Sequence, residues 1–335
     1  MKLRRSSLVL SSTFVLIAAI CPAQSSISSQ PGAKVIIDTD IGDDIDDAFA
    51  LDLALTSPEL HILGVSAAWG DTGLRARMLD RMTCEVGRSD IPIQTGPATR
   101  VTTSLSQKPW ASEGIDRAHG EAVSFLLEQI QRYPGEITLI ALGPLTNIGA
   151  AIDRDPVTFR KLKRVVMMGG SIYRGYDDAG TTGKHGHPDA EYNIAMDPVA
   201  AQKLFRSGVS IFMMPLDSTQ LAFDAAKRSL LASISTPMTD SLQVLMAEWS
   251  RGTNQTTPTL FDAVAAAYAI DPATCPTTPL HIDVNEKGFT LVTPAPPNAQ
   301  VCLEPKEEAF FKLLMPRLLN QKLTGDQVCT VLNKK

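Results

Sequence analysis

The stretch that decides the fold reads Asp38-Thr39-Asp40-Ile41-Gly42-Asp43-Asp44-Ile45-Asp46-Asp47-Ala48. A β-branched run at residues 34–37 precedes it, and an apolar helical pattern starts at Phe49. The stretch is therefore a strand-to-helix junction. In open parallel sheets, ligands bind beyond the carboxyl ends of the strands, so we expect the chemistry of the protein here.

The junction is crowded with negative charge, because six of the ten residues 38–47 are aspartates. Such like charges repel one another and destabilise a turn unless a cation or a helix N-terminus offsets them. Calcium takes about six to eight oxygen ligands, whereas zinc would want the His or Cys that this loop lacks. The junction therefore predicts a Ca²⁺ site.

Three other interpretations of the junction compete with this one. A solvated loop with capping aspartates needs only one or two carboxylates. An EF-hand loop needs Glu at its twelfth position, where this chain has Phe49, and it follows a helix, not a strand. A phosphatase with an aspartyl nucleophile shares the junction, but its later Lys and acidic partners are not evident.

Outward from the junction, strand-like and helix-like patterns alternate. The helical spacing i, i+3, i+4, i+7 is clear at residues 123–130 and begins again at residues 201–205. Such alternation predicts an α/β fold with a single open, mainly parallel sheet flanked by helices, in one domain over residues 34–335. The strand candidates are residues 34–37, 61–67, 91–94, 137–142, 164–168 and 209–214. A hairpin is expected within 280–297 and a final helix within 304–323.

Composition narrows the class of protein. Of 335 residues, 44% are hydrophobic and 20% charged, which excludes a disordered chain, collagen and a coiled coil. The formal net charge of −5 offers no basic surface for phosphate backbones, so a nucleic-acid polymer is excluded as partner. A small-molecule ligand is expected, and a homo-oligomer is left open.

The first residues have the pattern of an export signal. Residues 1–23 have a basic start, an apolar stretch at 14–20 and a small-residue exit, which predicts a signal peptide cleaved after Ala23 and a periplasmic or secreted protein. A short membrane anchor and a lipoprotein acylated at Cys21 are alternatives. Residues 24–33 would be a flexible lead-in, and no stable membrane span is expected. Four cysteines then remain and permit two disulfides in three connectivities.

Five motifs in order resemble one family, the inosine-uridine preferring nucleoside hydrolases, which are ribonucleoside N-glycosidases. The resemblance covers nearly the whole chain after the signal. The motifs are the aspartate junction, Leu142-Gly143-Pro144-Leu145-Thr146-Asn147, Val165-Val166-Met167-Met168-Gly169-Gly170, Ala190-Glu191-Tyr192-Asn193 with Asp197-Pro198, and Phe261-Asp262. The resemblance implies a Rossmann-like fold and a hydrolase that releases free base and ribose from purine or pyrimidine nucleosides.

The resemblance also implies a metal site. Asp40, Asp47, the backbone carbonyl of Thr146 and Asp262 would hold one calcium ion, with a water and two ribose hydroxyls. Asp40 would accept a proton from that water, which attacks the ribose carbon through an oxocarbenium-like transition state.

The sugar would be bound by further polar residues. Asp46, Asp71, Glu191 and Asn193 would hydrogen-bond its hydroxyls, with Met168 against the ring. Such buried groups discriminate against a sugar without its hydroxyl, so ribose should be preferred over deoxyribose. Single residues have simpler explanations: Asp262, Thr146 and Asn147 as helix caps, Met168 as core, and the Glu191–Asn193 segment as a turn.

Two departures from the family pattern limit the transfer. Two extra residues precede the paired aspartates, so Asp44 is an alternative to Asp46 in the site. Many members have a His directly before the last metal aspartate, where it protonates the departing base, but this chain has Phe261, which cannot donate a proton.

Leaving-group activation must then come from another residue or from stacking. The first candidate for the residue that protonates the base is His119. Other candidates are His185, His187, Tyr173 and Tyr176. These four lie in a polar segment at 171–188, whose composition is typical of a mobile lid or of a plain surface loop. Trp69 and Trp249 are candidates for stacking on the base.

Three functions follow from these patterns. The first is calcium-dependent hydrolysis of ribonucleosides. The second is a secreted, metal-dependent sugar- or nucleoside-binding protein without turnover, which the missing His would explain. The third is hydrolysis of another N-ribosyl compound, because the base pocket is the part that departs from the family.

Overall fold

Strand β1 (Ala33–Thr39) lies in the middle of the sheet, between β2 (Leu60–Ala67) and β5 (Thr138–Ala141). The computed structural model describes residues 32–100, 105–180 and 183–321. β1 pairs in parallel with both neighbours, so its carboxyl end is flanked on each side by another carboxyl end.

Within these ranges, nine strands form one sheet. The remaining strands are β3 (Ile93–Thr95), β4 (Gly120–Glu121), β6 (Arg164–Met168), β7 (Ile211–Met214), β8 (Thr277–Leu280), β9 (Ile282–Val284), β10 (Thr290–Val292) and β11 (Ala299–Cys302). The sheet order is β4-β3-β2-β1-β5-β6-β7-β11-β8, and only the edge strand β8 is antiparallel to its neighbour. β9 and β10 form a separate antiparallel hairpin.

Helices connect the parallel strands. They are α1 (Asp46–Leu55), α2 (Thr72–Glu85), α3 (Lys108–Ser112), α4 (Ala122–Arg132), α5 (Thr146–Arg154), α6 (Pro156–Phe159), α7 (Tyr192–Ala195), α8 (Pro198–Arg206), α9 (Leu216–Thr219), α10 (Ala225–Ala232), α11 (Pro237–Thr253), α12 (Phe261–Ile270) and α13 (Glu307–Leu319). Two short 3₁₀ turns lie at Tyr176–Asp178 and Pro272–Thr274.

The chain changes its winding direction between β1 and β5. From β1 it proceeds outward through β2, β3 and β4, and then returns to place β5 on the other side of β1. Loops at such a switch point diverge and leave a crevice at the carboxyl ends of the strands. The aspartate junction follows β1 directly, so the fold places it at this crevice.

Both faces of the sheet are covered, as the residues of β1 show. Val35 and Ile37 belong to a core that includes α1, α2, α12 and α13, whereas Ile36 belongs to a second core with α4, α5 and α8. Alternate side chains of a strand point to opposite faces, and here both sets are buried. The predicted α/β fold with a mainly parallel, helix-covered sheet is confirmed.

The predicted strands and the last helix correspond to observed elements, with shifted ends. The strand expected at 91–94 is β3 at Ile93–Thr95, and the helix expected within 304–323 is α13. The hairpin expected within 280–297 is β9–β10. The short strand β4, and β8 with β11 at the far edge of the sheet, were not predicted.

The predicted signal peptide, residues 24–31 of the lead-in, and Cys329 lie outside the described residues. Cys275 and Cys302 form a disulfide that joins the loop before β8 to the end of β11, which agrees with one of the three connectivities. No described helix combines the length and the apolarity that crossing a bilayer requires.

Candidate active site

A cavity of about 270 Å³ opens at the carboxyl ends of β1, β5 and β6. Its lining residues come from sequence-distant loops: Asp40, Asp43, Asp44, Asp46, Asp47, Leu142, Met168, Tyr176, Glu191, Tyr192, Asn193, Phe261 and Asp262. The structure thus brings together eight of the predicted site residues: Asp40, Asp44, Asp46, Asp47, Met168, Glu191, Asn193 and Asp262.

The loop after β1 is folded by its own polar groups. Thr39 Oγ1 donates to Asp47 Oδ1 and accepts from the backbone N–H of Ile41 at 3.2 Å. These bonds turn the chain back so that Asp46 and Asp47 form the first turn of α1, where free N–H groups and the helix dipole favour negative charge.

Arg75 of α2 supplies the positive charge beneath this loop. Its side chain is fully buried; Nη1 donates to the carbonyls of Asp40 and, at 2.8 Å, of Ile41, and Nη2 lies 2.9 Å from Asp43 Oδ2. Its Nε donates to the carbonyl of Trp69 at 2.9 Å. One guanidinium therefore fixes the backbone of the loop and pairs with one of its carboxylates.

Asp262 reaches the same place from the opposite end of the sequence. It lies in the first turn of α12, and its backbone N–H donates to Asp46 Oδ2 at 3.0 Å. Carboxylate oxygens of Asp46, Asp47 and Asp262 lie within 4.8 Å of one another, and all three residues are buried. The neighbouring Asp40 is buried as well.

Burial and mutual repulsion make these carboxylates hard to ionise. Burial, and then the charge of Asp47, raises the pKa of Asp40 well above its usual range. Burial raises the pKa of Asp47 to about 7, against the hydrogen bond from Thr39. The pKa values of Asp46 and Asp262 are raised well above the usual range by burial, and next by the charges of Asp44 and Asp46 respectively. The guanidinium of Arg75 therefore offsets only part of the repulsion within the cluster.

The donor set fits a hard divalent cation. Every candidate ligand atom in Asp40, Asp46, Asp47 and Asp262 is a carboxylate oxygen, the type that calcium and magnesium prefer. Asp262 Oδ1 is buried without a hydrogen-bond partner among the described residues, and such an atom is costly unless something binds it. The cluster of Asp46, Asp47 and Asp262 is thus able to hold a metal ion.

Asp44 and Asp46, which the sequence could not separate, differ in their partners. Asp44 accepts from the N–H of Ile45 at 2.7 Å and from the Trp249 indole, so Trp249 is a buried anchor of the loop. Asp46 faces Asp262. These contacts favour Asp46 over Asp44 as the residue available to a ligand.

Asn193 and Met168 join the ends of two strands at the cavity wall. Asn193 Nδ2 donates to the carbonyl of Leu142 at 2.9 Å and lies 3.4 Å from Met168 Sδ. Leu142 follows β5 and Met168 ends β6. The amide thus fixes this wall through Nδ2, and Oδ1 is left to accept from a sugar hydroxyl, since no hydrogen bond among the described residues uses it.

Glu191 is mainly engaged with the backbone. Its carboxylate accepts from the N–H groups of Gly170 at 2.7 Å, Asn193 at 2.9 Å and Ile194 at 3.2 Å, and so caps α7. Burial nevertheless raises its pKa to about 7. The turn role considered from the sequence is therefore present, and Oε1 keeps one acceptor position for a ligand.

An aromatic pair forms another part of the wall. The rings of Tyr176 and Phe261 meet edge to face, with centroids 6.2 Å apart and an interplanar angle of 80°. The Tyr176 hydroxyl accepts from the backbone N–H of Tyr192 at 3.1 Å. The ring of Tyr176 thus packs against Phe261, the residue directly before Asp262.

Three predicted site residues do not line the cavity. Asp71 is exposed and caps α2 by accepting from the N–H of Leu74 at 3.0 Å, so its predicted sugar contact finds no support in the geometry. Thr146 donates through Oγ1 to Asp197 at 3.0 Å; the role of its carbonyl stays a prediction.

His119 has a different partner from the one expected. Its side chain is buried, and Nε2 lies 2.7 Å from Asp80 Oδ2, which Arg117 also binds. His119 and Arg117 thus share the Asp80 carboxylate of α2, and His119 does not line the cavity. The structure therefore does not bring His119 to the cavity, and its predicted role as proton donor has no support in the geometry. His187 is exposed and, like His185, absent from the wall.

Sequence reasoning missed Arg75 and Gln107, which hold the aspartate loop. Gln107 Nε2 donates to the carbonyl of Asp44 at 2.7 Å. The backbone N–H of Gln107 donates to the carbonyl of Gly42 at 3.1 Å. No local pattern marks either residue, because each acts on a segment at least 32 residues away. Tyr176 was only one of several candidates.

The cavity, its buried carboxylates and the switch-point sheet define an α/β protein with a candidate metal-dependent active site. The profile of the inosine-uridine preferring nucleoside hydrolases matches residues 35–312. The chain belongs to this family.

Curated relatives and a solved structure agree. The chain is 33% identical over 201 residues to uridine nucleosidase 1 of Arabidopsis thaliana (56% of this chain, 57% of the relative), and 28% identical over 324 residues to the pyrimidine-specific ribonucleoside hydrolase RihA of Citrobacter koseri (85% and 97%). The plant nucleoside hydrolase PpNRh1 superposes with a TM-score of 0.75 at 26% identity, covering 86% of this chain and 99% of that one. The matches span 57% to 64% of the fission-yeast, Arabidopsis and rice relatives.

Proposed function

We propose that the protein hydrolyses the N-glycosidic bond of ribonucleosides, giving free base and ribose, and that it needs calcium to do so. The observation that carries this proposal is the buried cluster of Asp40, Asp46, Asp47 and Asp262 at the switch point of the sheet. A nucleoside carries no phosphate, so an acidic cavity does not repel it. Membership of the nucleoside hydrolase family supports the reaction class.

In this proposal Asp40, Asp47 and Asp262 hold the cation, together with the carbonyl of Thr146. When bound, calcium offsets the repulsion within the cluster, lowers the pKa of a water and orients two sugar hydroxyls. Burial raises the pKa of Asp40, which makes its carboxylate a stronger proton acceptor once it is ionised. Asp40 is therefore the proposed general base.

The other wall residues would bind the sugar. Asp46, with Asp44 as the less accessible alternative, accepts from a ribose hydroxyl, and Asn193 and Glu191 offer further polar atoms. Met168 packs against the ring. Because a site built to bind a hydroxyl rejects a ligand without it, we expect 2′-deoxynucleosides to react far more slowly than ribonucleosides.

Release of base and of reducing sugar from a panel of ribonucleosides tests the proposal. Activity should disappear on calcium chelation and return when calcium, but not sodium, is added back. Asp47→Asn should abolish activity, whereas Asp153→Asn, a change at an exposed carboxylate paired with Lys203, should not.

Two outcomes would replace this proposal. Tight, calcium-dependent ribose binding with no base released from any nucleoside would favour a binding protein without turnover, for which Phe261 in place of a proton donor is the specific argument. Release of ribose from N-ribosyl compounds other than nucleosides would favour the third function.

We also propose that the protein is exported after cleavage behind Ala23, from the charge and apolar pattern of residues 1–23. Mass spectrometry of the N-terminus of the protein recovered outside the cytoplasm should find Gln24 first. An intact Met1, or a lipid on Cys21, would contradict this.

A further inference from the structure

Apart from its carboxyl groups, to which the proposed scheme gives the metal, the water and the sugar, the cavity wall has few groups that are able to give a proton to a departing base. Phe261 has none, and His119 is engaged with Asp80 outside the wall. Two phenols line the cavity, of Tyr176 and Tyr192. The Tyr192 hydroxyl is buried, whereas Tyr176 is 42% exposed as a residue and borders the open space.

The position of Tyr176 is fixed by the segment that carries it. The N–H of Tyr176 donates to Asp189 Oδ2 at 2.8 Å, and Gln220 Nε2 donates to the carbonyl of the preceding Gly175 at 3.0 Å. Asp178 Oδ2 accepts from the N–H groups of Gly175 at 3.0 Å and His187 at 2.7 Å. A side chain on a backbone held from several sides is pre-organised for chemistry.

The hydroxyl of Tyr176 also has a defined polarity. It accepts from the N–H of Tyr192 at 3.1 Å, which leaves its own hydrogen for another acceptor. No described hydrogen bond uses that hydrogen. A phenol carries its hydrogen at neutral pH, and partial burial together with the charge of Glu191 raises the pKa of Tyr176 further.

The ring of Tyr176 lies against Phe261, which directly precedes the cluster residue Asp262. The donor is therefore on the side of the cavity where the chain departs from the family pattern. We propose that Tyr176 donates its proton to the leaving base and so takes over leaving-group activation from position 261. This inference rests on the proposed nucleoside hydrolysis.

The step balances in atoms and charge. The bond between the ribose carbon and the base nitrogen breaks, and its electron pair stays with the base. The phenol proton moves to a ring nitrogen of the base, while water attacks the ribose carbon and gives its proton to Asp40. The phenolate then regains a proton, through solvent, from Asp40, so one water is consumed for each base and ribose released.

The test compares a substrate that needs the proton with one that does not. Tyr176→Phe keeps the ring and its contact with Phe261 but removes the hydroxyl. We expect kcat on inosine to fall by about 100-fold or more, the usual contribution of general acid catalysis. Turnover of 4-nitrophenyl riboside, whose leaving group is stable as an anion, should stay within about twofold of wild type, which also shows that the variant is folded.

Tyr133→Phe is the matched control, because it removes a phenol hydroxyl outside the cavity, where the Tyr133 ring lies near Lys34 and Arg132. It should leave both substrates unchanged. An equal loss on both substrates in Tyr176→Phe would show a structural role, and no loss on inosine would show no role; either result overturns the inference while the hydrolase function stands. A wild-type protein that releases neither base nor nitrophenol would overturn the proposed function, and the inference with it.

Discussion

Arg75 Nη2 lies 2.9 Å from Asp43 Oδ2, and both side chains are largely shielded from water. The same guanidinium binds the carbonyls of Asp40 and Ile41. A single buried cation is thus the internal counter-charge and the backbone support of a loop that carries five carboxylates of the cavity wall.

The first prediction concerns this pair. Arg75→Met should lower the free energy of unfolding by about 3–5 kcal/mol, because it removes a buried guanidinium that pairs with Asp43 and binds two carbonyls of the loop. It should also weaken calcium binding because the loop loses its support. Denaturant unfolding and calorimetric titration with calcium measure the two effects. Arg88→Met, at an exposed pair with Asp90, is the control. Equal stability of wild type and Arg75→Met would refute the assigned role.

A second prediction concerns the close approach of Gly143 to Asp40. A Cβ at position 143 would lie 2.7 Å from Asp40 Oδ1, closer than real contacts allow. Gly143→Ala should therefore displace the proposed base and lower kcat by about 100-fold, the scale expected for a 1 Å error in placement. Gly73→Ala, where the new Cβ would be 3.6 Å from its nearest neighbour, should leave kcat unchanged.

A third prediction concerns the carboxylate cluster and measures two effects separately, the repulsion among its charges and its binding of a cation. With calcium chelated, Asp262→Asn should raise the melting temperature, because one buried like charge is removed. With calcium at 100 times its dissociation constant, wild type should gain about 2.7 kcal/mol, and the variant little. Thermal melts with chelator and with calcium give both values. A variant that is destabilised under chelation would count against repulsion within the cluster.

A fourth prediction concerns pH and a buried acid away from the cavity. Asp52 on α1 is buried, and burial, followed by the charge of Glu85, raises its pKa well above the usual range. The unfolded chain releases this proton above about pH 4, so Asp52 costs increasing stability as the pH rises toward its folded pKa.

Asp52→Asn should therefore raise the melting temperature more at pH 8 than at pH 5. Asp116→Asn, at a carboxylate that is 83% exposed, should show no such difference. An equal effect of Asp52→Asn at both pH values would mean that Asp52 is ionised in the folded protein.

The local parts of the fold and site could be predicted from the sequence. The run of buried residues in β1 and the aspartates that follow it are neighbours in the chain, so their meeting needs no tertiary information. The alternation of strands and helices then predicts the parallel sheet. Strands β8 and β11 were missed because β11 pairs with β7 across 88 positions, as Ala299 with Ile211 shows, and β8 joins the sheet only through β11.

The partners of individual side chains could not be predicted in the same way. A histidine in sequence does not reveal that His119 meets Asp80, nor does a lone arginine reveal that Arg75 lies under Asp43, because both contacts join distant segments. Asp71 precedes a helix, and its capping of α2 was not weighed against the family role. Residue type and motif order therefore predicted the carboxylates of the cavity better than they predicted the side chains, such as Arg75, that hold the aspartate loop in place.

The bond from the N–H of Asp262 to Asp46 joins residues 216 positions apart. During synthesis, a chain that has emerged only as far as α11 carries the aspartate loop but not α12. Such a nascent chain lacks Asp262, so its carboxylate cluster is incomplete and would bind a cation only weakly. In the proposed scheme, calcium capture therefore waits until almost the whole domain has been made, and the ion stabilises finished molecules rather than partial ones.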